Sequence, residues 1–150
     1  MSIAENIAAV RSRIAAAAES AGRRPEDILL VGASKMNDAA ACREAIAGGL
    51  TALGENRVQE LLEKDAQGAY AGAALHFIGR LQRNKVKYLV GRVDLIESID
   101  SLALLQEVQR LAEKRGVTQD ILLEVSAAGE ESKGGLPMAE VYSVAEAALG

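Results

Sequence analysis

Asp27-Ile-Leu-Leu-Val-Gly-Ala-Ser-Lys35 is an apolar run that ends on a lysine. Ile28 to Val31 are unbroken hydrophobics, and Gly32 and Ala33 leave little side chain to pack. Such a run predicts a strand buried on both faces, as in a parallel sheet covered by helices. Ser34 and Lys35 arrive at its carboxyl end, before Asn37-Asp38 open a helix. In α/β folds ligands bind at that end of the sheet. A lysine held there, with its four-carbon stem against apolar walls, loses hydration and is favoured as the free amine that attacks a carbonyl, which is Schiff-base chemistry. The plainer alternative is a lysine that leaves the sheet and snorkels to water, and position alone favours it.

On the amino-terminal side, Ser2 with Glu5 three residues on makes a capping box, and Ile3, Ile7, Val10 and Ile14 follow at helical spacing. That helix should reach about Ser20, where Ala21-Gly22-Arg23-Arg24-Pro25 stops it. On the other side a helix from about Asp38 to Ala47 ends at Gly48-Gly49. A second strand, Thr51–Gly54, leads into Glu55-Asn56 and a helix carrying Val58, Leu61 and Leu62. The third strand, Leu75–Gly79, is followed by Arg80-Leu-Gln-Arg-Asn-Lys85 and a helix to about Val90. The fourth, Val93–Ser98, ends at Ile99-Asp100-Ser101; Asp100 or Ser101 caps a helix whose Leu102, Leu105, Val108 and Leu111 share one face, and Gly116 ends it. The fifth, Asp120–Ser126, precedes a polar loop from Ala127 to Leu136, and Pro137 suits the first turn of a last helix.

One helix followed by five strand–helix units, at intervals of roughly 20–25 residues, is a regular βα alternation. Right-handed crossovers make such strands parallel, with helices outside. Lys35, Glu55-Asn56, Arg80, Ser98 to Ser101 and the Gly129–Gly135 loop all follow strands, so they are expected on one face. That clustering moves Lys35 towards a functional role.

With 150 residues, 49% hydrophobic and 25% charged, the chain has the size and composition of one soluble domain. No apolar run approaches the roughly 18 residues that span a bilayer, and no signal peptide is evident, so membranes are not expected as partners. Cys42 is the single cysteine; it cannot form an internal disulfide, which fits the cytoplasm, and its place among helical alanines suits a small buried residue. A net charge of −4 and an aromatic content of 3% argue against nucleic acid.

Each polar cluster has two explanations. Asn56 offers a ligand both a donor and an acceptor, or else Glu55 or Asn56 caps the following helix. His76, the only histidine, suits a hydrogen-bonded core position better than a metal site, since no second histidine or Cys/His grouping exists. Arg80, Arg83, Lys85 and Lys87 attract phosphate or line a solvated helix face. Gly129–Gly135 is a binding loop or an ordinary surface loop, and no Walker or dinucleotide glycine spacing is present.

Ala33-Ser-Lys35, Gly54-Glu-Asn-Arg-Val-Gln-Glu60, His76-Phe-Ile-Gly-Arg-Leu-Gln-Arg-Asn-Lys85, Ser98-Ile-Asp-Ser101 and Glu130-Glu-Ser-Lys-Gly134 occur in this order. The set resembles the pyridoxal-phosphate homeostasis protein family, single-domain relatives of the alanine racemase barrel, across essentially the whole chain. Each motif alone is weak; the ordered set is specific. The resemblance implies a (β/α)8 TIM-barrel-type fold that binds pyridoxal 5′-phosphate (PLP), with Lys35 in Schiff-base linkage to it. By the same match Asn56 and the Ile78-Gly79 pair line the cofactor pocket, and Lys133 falls on a lysine implicated in handling the cofactor at a secondary location. Family members buffer or deliver the cofactor, without established turnover, and PLP-dependent apoenzymes are the implied recipients.

Barrels of this type generally exceed about 200 residues, so residues 1–150 are expected to form the N-terminal helix and about five βα units of a single PLP-binding barrel domain. The last three strands, and the phosphate-gripping loops that typically follow late strands, are expected beyond residue 150. The implied consequence is a reactive Lys35 with weak cofactor retention, and an unpaired sheet edge prone to association. Two rivals stand beside this: a racemase- or decarboxylase-like enzyme, for which Tyr70, Tyr88 and Tyr142 offer no convincingly placed second acid/base, and a cofactor-free interaction module.

Overall fold

The structure is a computed structural model and describes residues 1–130 and 133–150. Glu131 and Ser132, part of the polar loop and of the last quoted motif, lie outside the described residues. The chain forms two compact units, Met1–Glu55 with Gln59–Leu75, and Asn56–Val58 with His76–Gly150.

In the first unit, α1 (Ile3–Ser20) begins with the expected capping box: the Glu5 amide donates to Ser2 Oγ at 3.1 Å and the Ser2 amide to Glu5 Oε2 at 2.7 Å. It packs on α2 (Ala39–Ala47), whose cap is Asp38, accepting from the Ala41 amide at 2.8 Å. Gly49, at φ +98°, turns the chain after α2, and its carbonyl accepts from Arg11 Nη2 of α1 at 2.6 Å. β1 (Val31–Ala33) pairs in parallel with β2 (Ala52–Glu55), Val31 lying opposite Ala52.

The Asp27–Lys35 run does not form a strand buried on both faces. Only Val31–Ala33 is extended in a ladder, and Leu29 is 59% exposed. A 3₁₀ turn at Pro25–Asp27, clamped by the Arg24–Asp27 ion pair at 2.6 Å, occupies the front of the run. Among the described residues β1 has β2 as its one ladder partner, and the residues before Val31 lie outside the ladder. The fully buried strand is β2, shielded at all four positions. Gln59–Asp65 of α3 (Val58–Asp65) belong to the same unit and bury Leu61 completely. The head of β3 (Ala74–Phe77) joins it through the Ala74 amide, which donates to the Thr51 carbonyl at 2.9 Å.

In the second unit, His76 and Phe77 of β3 pair in parallel with β4 (Leu95–Ile99), and β4 pairs in parallel with β5 (Asp120–Leu123). The helix expected up to Val90 is instead a 3₁₀ helix, Arg83–Tyr88. Val86, Leu89 and Val90 are buried at the spacing a helix would use, but the backbone closes in the tighter i→i+3 form, the Lys85 amide donating to the Gln82 carbonyl and the Leu89 amide to the Val86 carbonyl, each at 2.9 Å. Arg115 fastens the segment from the far end of α4 (Leu102–Arg115), donating to the carbonyls of Val90 at 2.6 Å and Lys87 at 2.8 Å. Ser101, not Asp100, caps α4 by accepting from the Leu104 amide at 3.1 Å. Leu105, Val108 and Leu111 turn inward, whereas Leu102 is 43% exposed. Gly116 ends α4 in the left-handed region at φ +64°, a conformation that costs any other residue a Cβ–carbonyl clash. Pro137 precedes a 3₁₀ turn, Met138–Glu140, and α5 (Val141–Leu149) packs on α4.

Candidate functional site

Lys35 stands immediately beyond β1, at the carboxyl end of that parallel strand, and is exposed. Among the described residues, the cover expected around its stem is therefore not seen. The residues on either side of it are held firmly. The Ser34 amide donates to the Gly54 carbonyl at 3.0 Å, Ser34 Oγ to Glu55 Oε1 at 2.5 Å, and the Met36 amide to Glu60 Oε1 at 2.7 Å. Met36 itself takes φ +64°, unusual for a side chain of its size, and is 93% exposed.

Behind these contacts lies a buried polar network. Glu55 is completely buried, and its Oε1 accepts from Ser34 Oγ, from Lys64 Nζ at 2.9 Å and from the Tyr70 hydroxyl at 2.9 Å. Lys64, 5% exposed, spends its three donors on the Ser34 carbonyl at 2.7 Å, Glu55 Oε1 at 2.9 Å and Glu60 Oε1 at 2.7 Å. Burial works against the ammonium, but the hydrogen bonds to Glu60 and Glu55 outweigh it, and the Lys64 pKa is raised. Burial, then the bond to Glu55, pushes the Tyr70 phenol far above its ordinary value. Burial likewise raises Cys42, which is 2% exposed, as suits the structural thiol expected there.

Neither Glu55 nor Asn56 needs to be invoked as a helix cap: Glu55 is the centre of that network. Asn56 meets its expected neighbour within the second unit. A Cβ at Gly79 would run into the Asn56 carbonyl oxygen, with the Asn56 Cα at 2.6 Å, so only glycine lets the two backbones approach this closely. Ile78 precedes the contact and is half-buried. Asn56 Oδ1 and Ser98 Oγ are buried without a hydrogen-bond partner. His76, 4% exposed, is the core histidine expected, its Nδ1 lying 2.7 Å from Glu97 Oε1. Asp100 Oδ2 accepts from the Gly135 amide at 3.5 Å, which ties the end of β4 to the polar loop. Lys133 lies on that loop, 77% exposed in its side chain, in an ion pair with Glu130 at 2.9 Å. Among the described residues no group of His, Cys, Asp and Glu is arranged to hold a metal ion.

Sequence reasoning passed over Lys64, took Glu60 only as the end of a motif, and weighed Tyr70 only as an acid/base. Glu60 and Lys64 stand four apart on a helix, the usual spacing of a solvated surface pair. The one available signal was Lys64 sharing the inward stripe with Leu61, a position where an unpaired lysine does not belong.

The chain matches the family model described as alanine racemase, N-terminal domain, over residues 3–150. The chain belongs to that family. The family's fold class is α/β of the TIM-barrel type, represented here by the N-terminal helix and five strands in parallel ladders. Among curated proteins it is 46% identical over 136 residues to the pyridoxal phosphate homeostasis protein of Aquifex aeolicus, covering 91% of this chain and 60% of that protein. It is 41% identical over 148 residues to the protein of the same name from Pseudomonas aeruginosa, covering 97% of this chain and 63% of the relative. Among solved structures, PipY of Synechococcus elongatus with PLP bound superimposes with a TM-score of 0.82 at 33% identity, covering 97% of this chain and 63% of PipY. A Bifidobacterium adolescentis protein of unknown role gives a TM-score of 0.88 at 37% identity, covering 96% of this chain and 62% of that one. The chain thus spans about three fifths of the length of these relatives.

Proposed function

We propose that this chain binds pyridoxal 5′-phosphate through Lys35 and takes part in buffering or delivering the cofactor, without turning over a substrate. The observation that carries this is the exposed primary amine of Lys35 at the carboxyl end of a parallel strand. PLP supplies an aldehyde that condenses with a primary amine. Lys35 of the first unit presents the amine. In the second unit, the buried, unpartnered Oδ1 of Asn56 is an acceptor left for a ligand atom, held in place by the Gly79 contact. Ile78 adds apolar surface beside that contact, and Lys133 is a second exposed amine that handles the cofactor at a secondary location once released from Glu130.

Support for cofactor handling over catalysis comes from the neighbourhood of Lys35. An amine-based racemase or decarboxylase needs a second acid or base poised near the reacting carbon. In the unit that carries Lys35, Tyr70 is tied to Glu55 and holds its proton far too tightly to exchange it at neutral pH. PLP-dependent apoenzymes are the recipients this reading implies, and the cytoplasm is its compartment. No helix among the described residues is long and apolar enough to cross a membrane.

The test is PLP titration followed by absorbance, with Lys35→Ala as the control. A long-wavelength band that saturates with the cofactor in the wild type and is lost in Lys35→Ala supports the proposal. An equal band in both proteins contradicts it. Racemisation or decarboxylation of amino acids that depends on Lys35 contradicts the non-catalytic half.

A further inference from the structure

Any residue's backbone direction is set by the two peptide planes that flank it, because each plane is rigid and only φ and ψ are free. Both planes around Lys35 are gripped by one ion pair. On the amino side the Ser34 carbonyl accepts from Lys64 Nζ at 2.7 Å. On the carboxyl side the Met36 amide donates to Glu60 Oε1 at 2.7 Å. Lys64 Nζ and Glu60 Oε1 are themselves 2.7 Å apart, one helical turn from each other on α3. The grip is anchored from behind by the fully buried Glu55, which also takes the Ser34 hydroxyl.

We propose that the Lys64–Glu60 pair is a positioning device for Lys35, locking the backbone on both sides of it so that the side chain leaves the strand end in one fixed direction. The proposal rests on the reading of Lys35 as the cofactor-reactive amine. Two features favour it over a pair that merely stabilises α3. Lys64 is buried and its ammonium costs more to desolvate than one part-exposed partner returns, so a helix gains little from the pair alone. Met36 also holds a left-handed φ of +64°, a strained state that persists only where surrounding contacts over-determine it. The Met36 amide bond to Glu60 is such a contact, placed one residue from the amine it serves. A flexible lysine aimed in advance loses less conformational freedom when it bonds a ligand.

Amide hydrogen exchange at Met36 and borohydride-fixed PLP labelling read this directly, using Glu60→Ala, Glu60→Gln and Lys64→Met in the 150-residue chain. Loss of a hydrogen bond to a charged acceptor should speed Met36 exchange by about tenfold or more in Glu60→Ala. Glu60→Gln keeps an amide oxygen at that point and should restore much of the protection. In parallel, the share of label falling on Lys35, relative to the other lysines, should drop in Glu60→Ala and recover in Glu60→Gln. Glu60 is part-exposed, so its variants fold even if Lys64→Met does not. Unchanged Met36 exchange in Glu60→Ala overturns the proposal, as does an unchanged Lys35 share alongside faster exchange. A wild-type chain that takes no label at Lys35 removes the cofactor reading instead, and the exchange comparison still decides whether the pair fixes that backbone.

Discussion

At the scale of residues, Glu55 gives the first unit its chemistry. Its carboxylate sits at zero exposure and is tolerable only because Lys64, Tyr70 and Ser34 converge on one of its oxygens. Removing Lys64 leaves two carboxylates without their cation, so Lys64→Met should cost about 3–5 kcal/mol of unfolding free energy, measured by urea denaturation. The same network makes stability sensitive to alkali. The folded chain holds the Tyr70 and Lys64 protons more tightly than the unfolded chain, since both pKa values are raised. Their contribution is therefore complete below the unfolded values of about 10 and is lost as pH rises above them. Urea midpoints should be flat through neutral pH and fall above about pH 10, and Tyr70→Phe should make that fall shallower. An equally steep fall in the variant would show that the phenol does not titrate against folding. Gly79→Ala must displace the Asn56 backbone, and should show as amide shifts concentrated at Asn56 and its neighbours.

At the scale of elements, much was legible because the signals are local. Ser2 with Glu5, Asp38, Ser101 and Gly116 announce helix ends through hydrogen bonds that span only three or four residues, and each stands where the sequence puts it. Ser101→Ala should cost about 1 kcal/mol, read as a shift in the urea midpoint. The failures share a cause: they depend on what lies across the fold. The Ile28–Val31 run has the composition of a doubly covered strand, but it adjoins an edge, whereas the short Ala-Leu-Gly-Glu of β2 receives the full cover. Glu60 and Lys64 look solvated by spacing; Lys64 is drawn inward by the oxygens of Ser34 and Glu55, and Glu60 by Lys64 and the Met36 amide. Lys35, Asn56 and the Ile78-Gly79 pair were picked out by an ordered set of motifs; the Lys64–Glu60 pair was not, because Glu60 entered only as the end of a motif and Lys64 carries only the signal of a lysine sharing a stripe with Leu61.

At the scale of the whole molecule, membership of the alanine racemase N-terminal domain family fixes the fold class, and the chain spans about three fifths of its relatives' length. The ladder edges carry exposed apolar side chains: Leu29 before β1 is 59% exposed and Leu122 in β5 is 50% exposed. Among the described residues these edges have no further strand, and edges of this composition template pairing with other chains. The sedimentation coefficient should therefore rise with protein concentration, and Leu122→Lys should weaken the rise; concentration-independent sedimentation of the wild type would show the edges to be inert.

The central claim is that Lys35 is the amine that meets the cofactor, and peptide mapping after PLP and borohydride treatment tests it most directly. The account predicts a pyridoxyl group concentrated on the peptide containing Lys35. Label spread evenly over exposed lysines such as Lys85, Lys87 and Lys114, with no excess at Lys35, would contradict it.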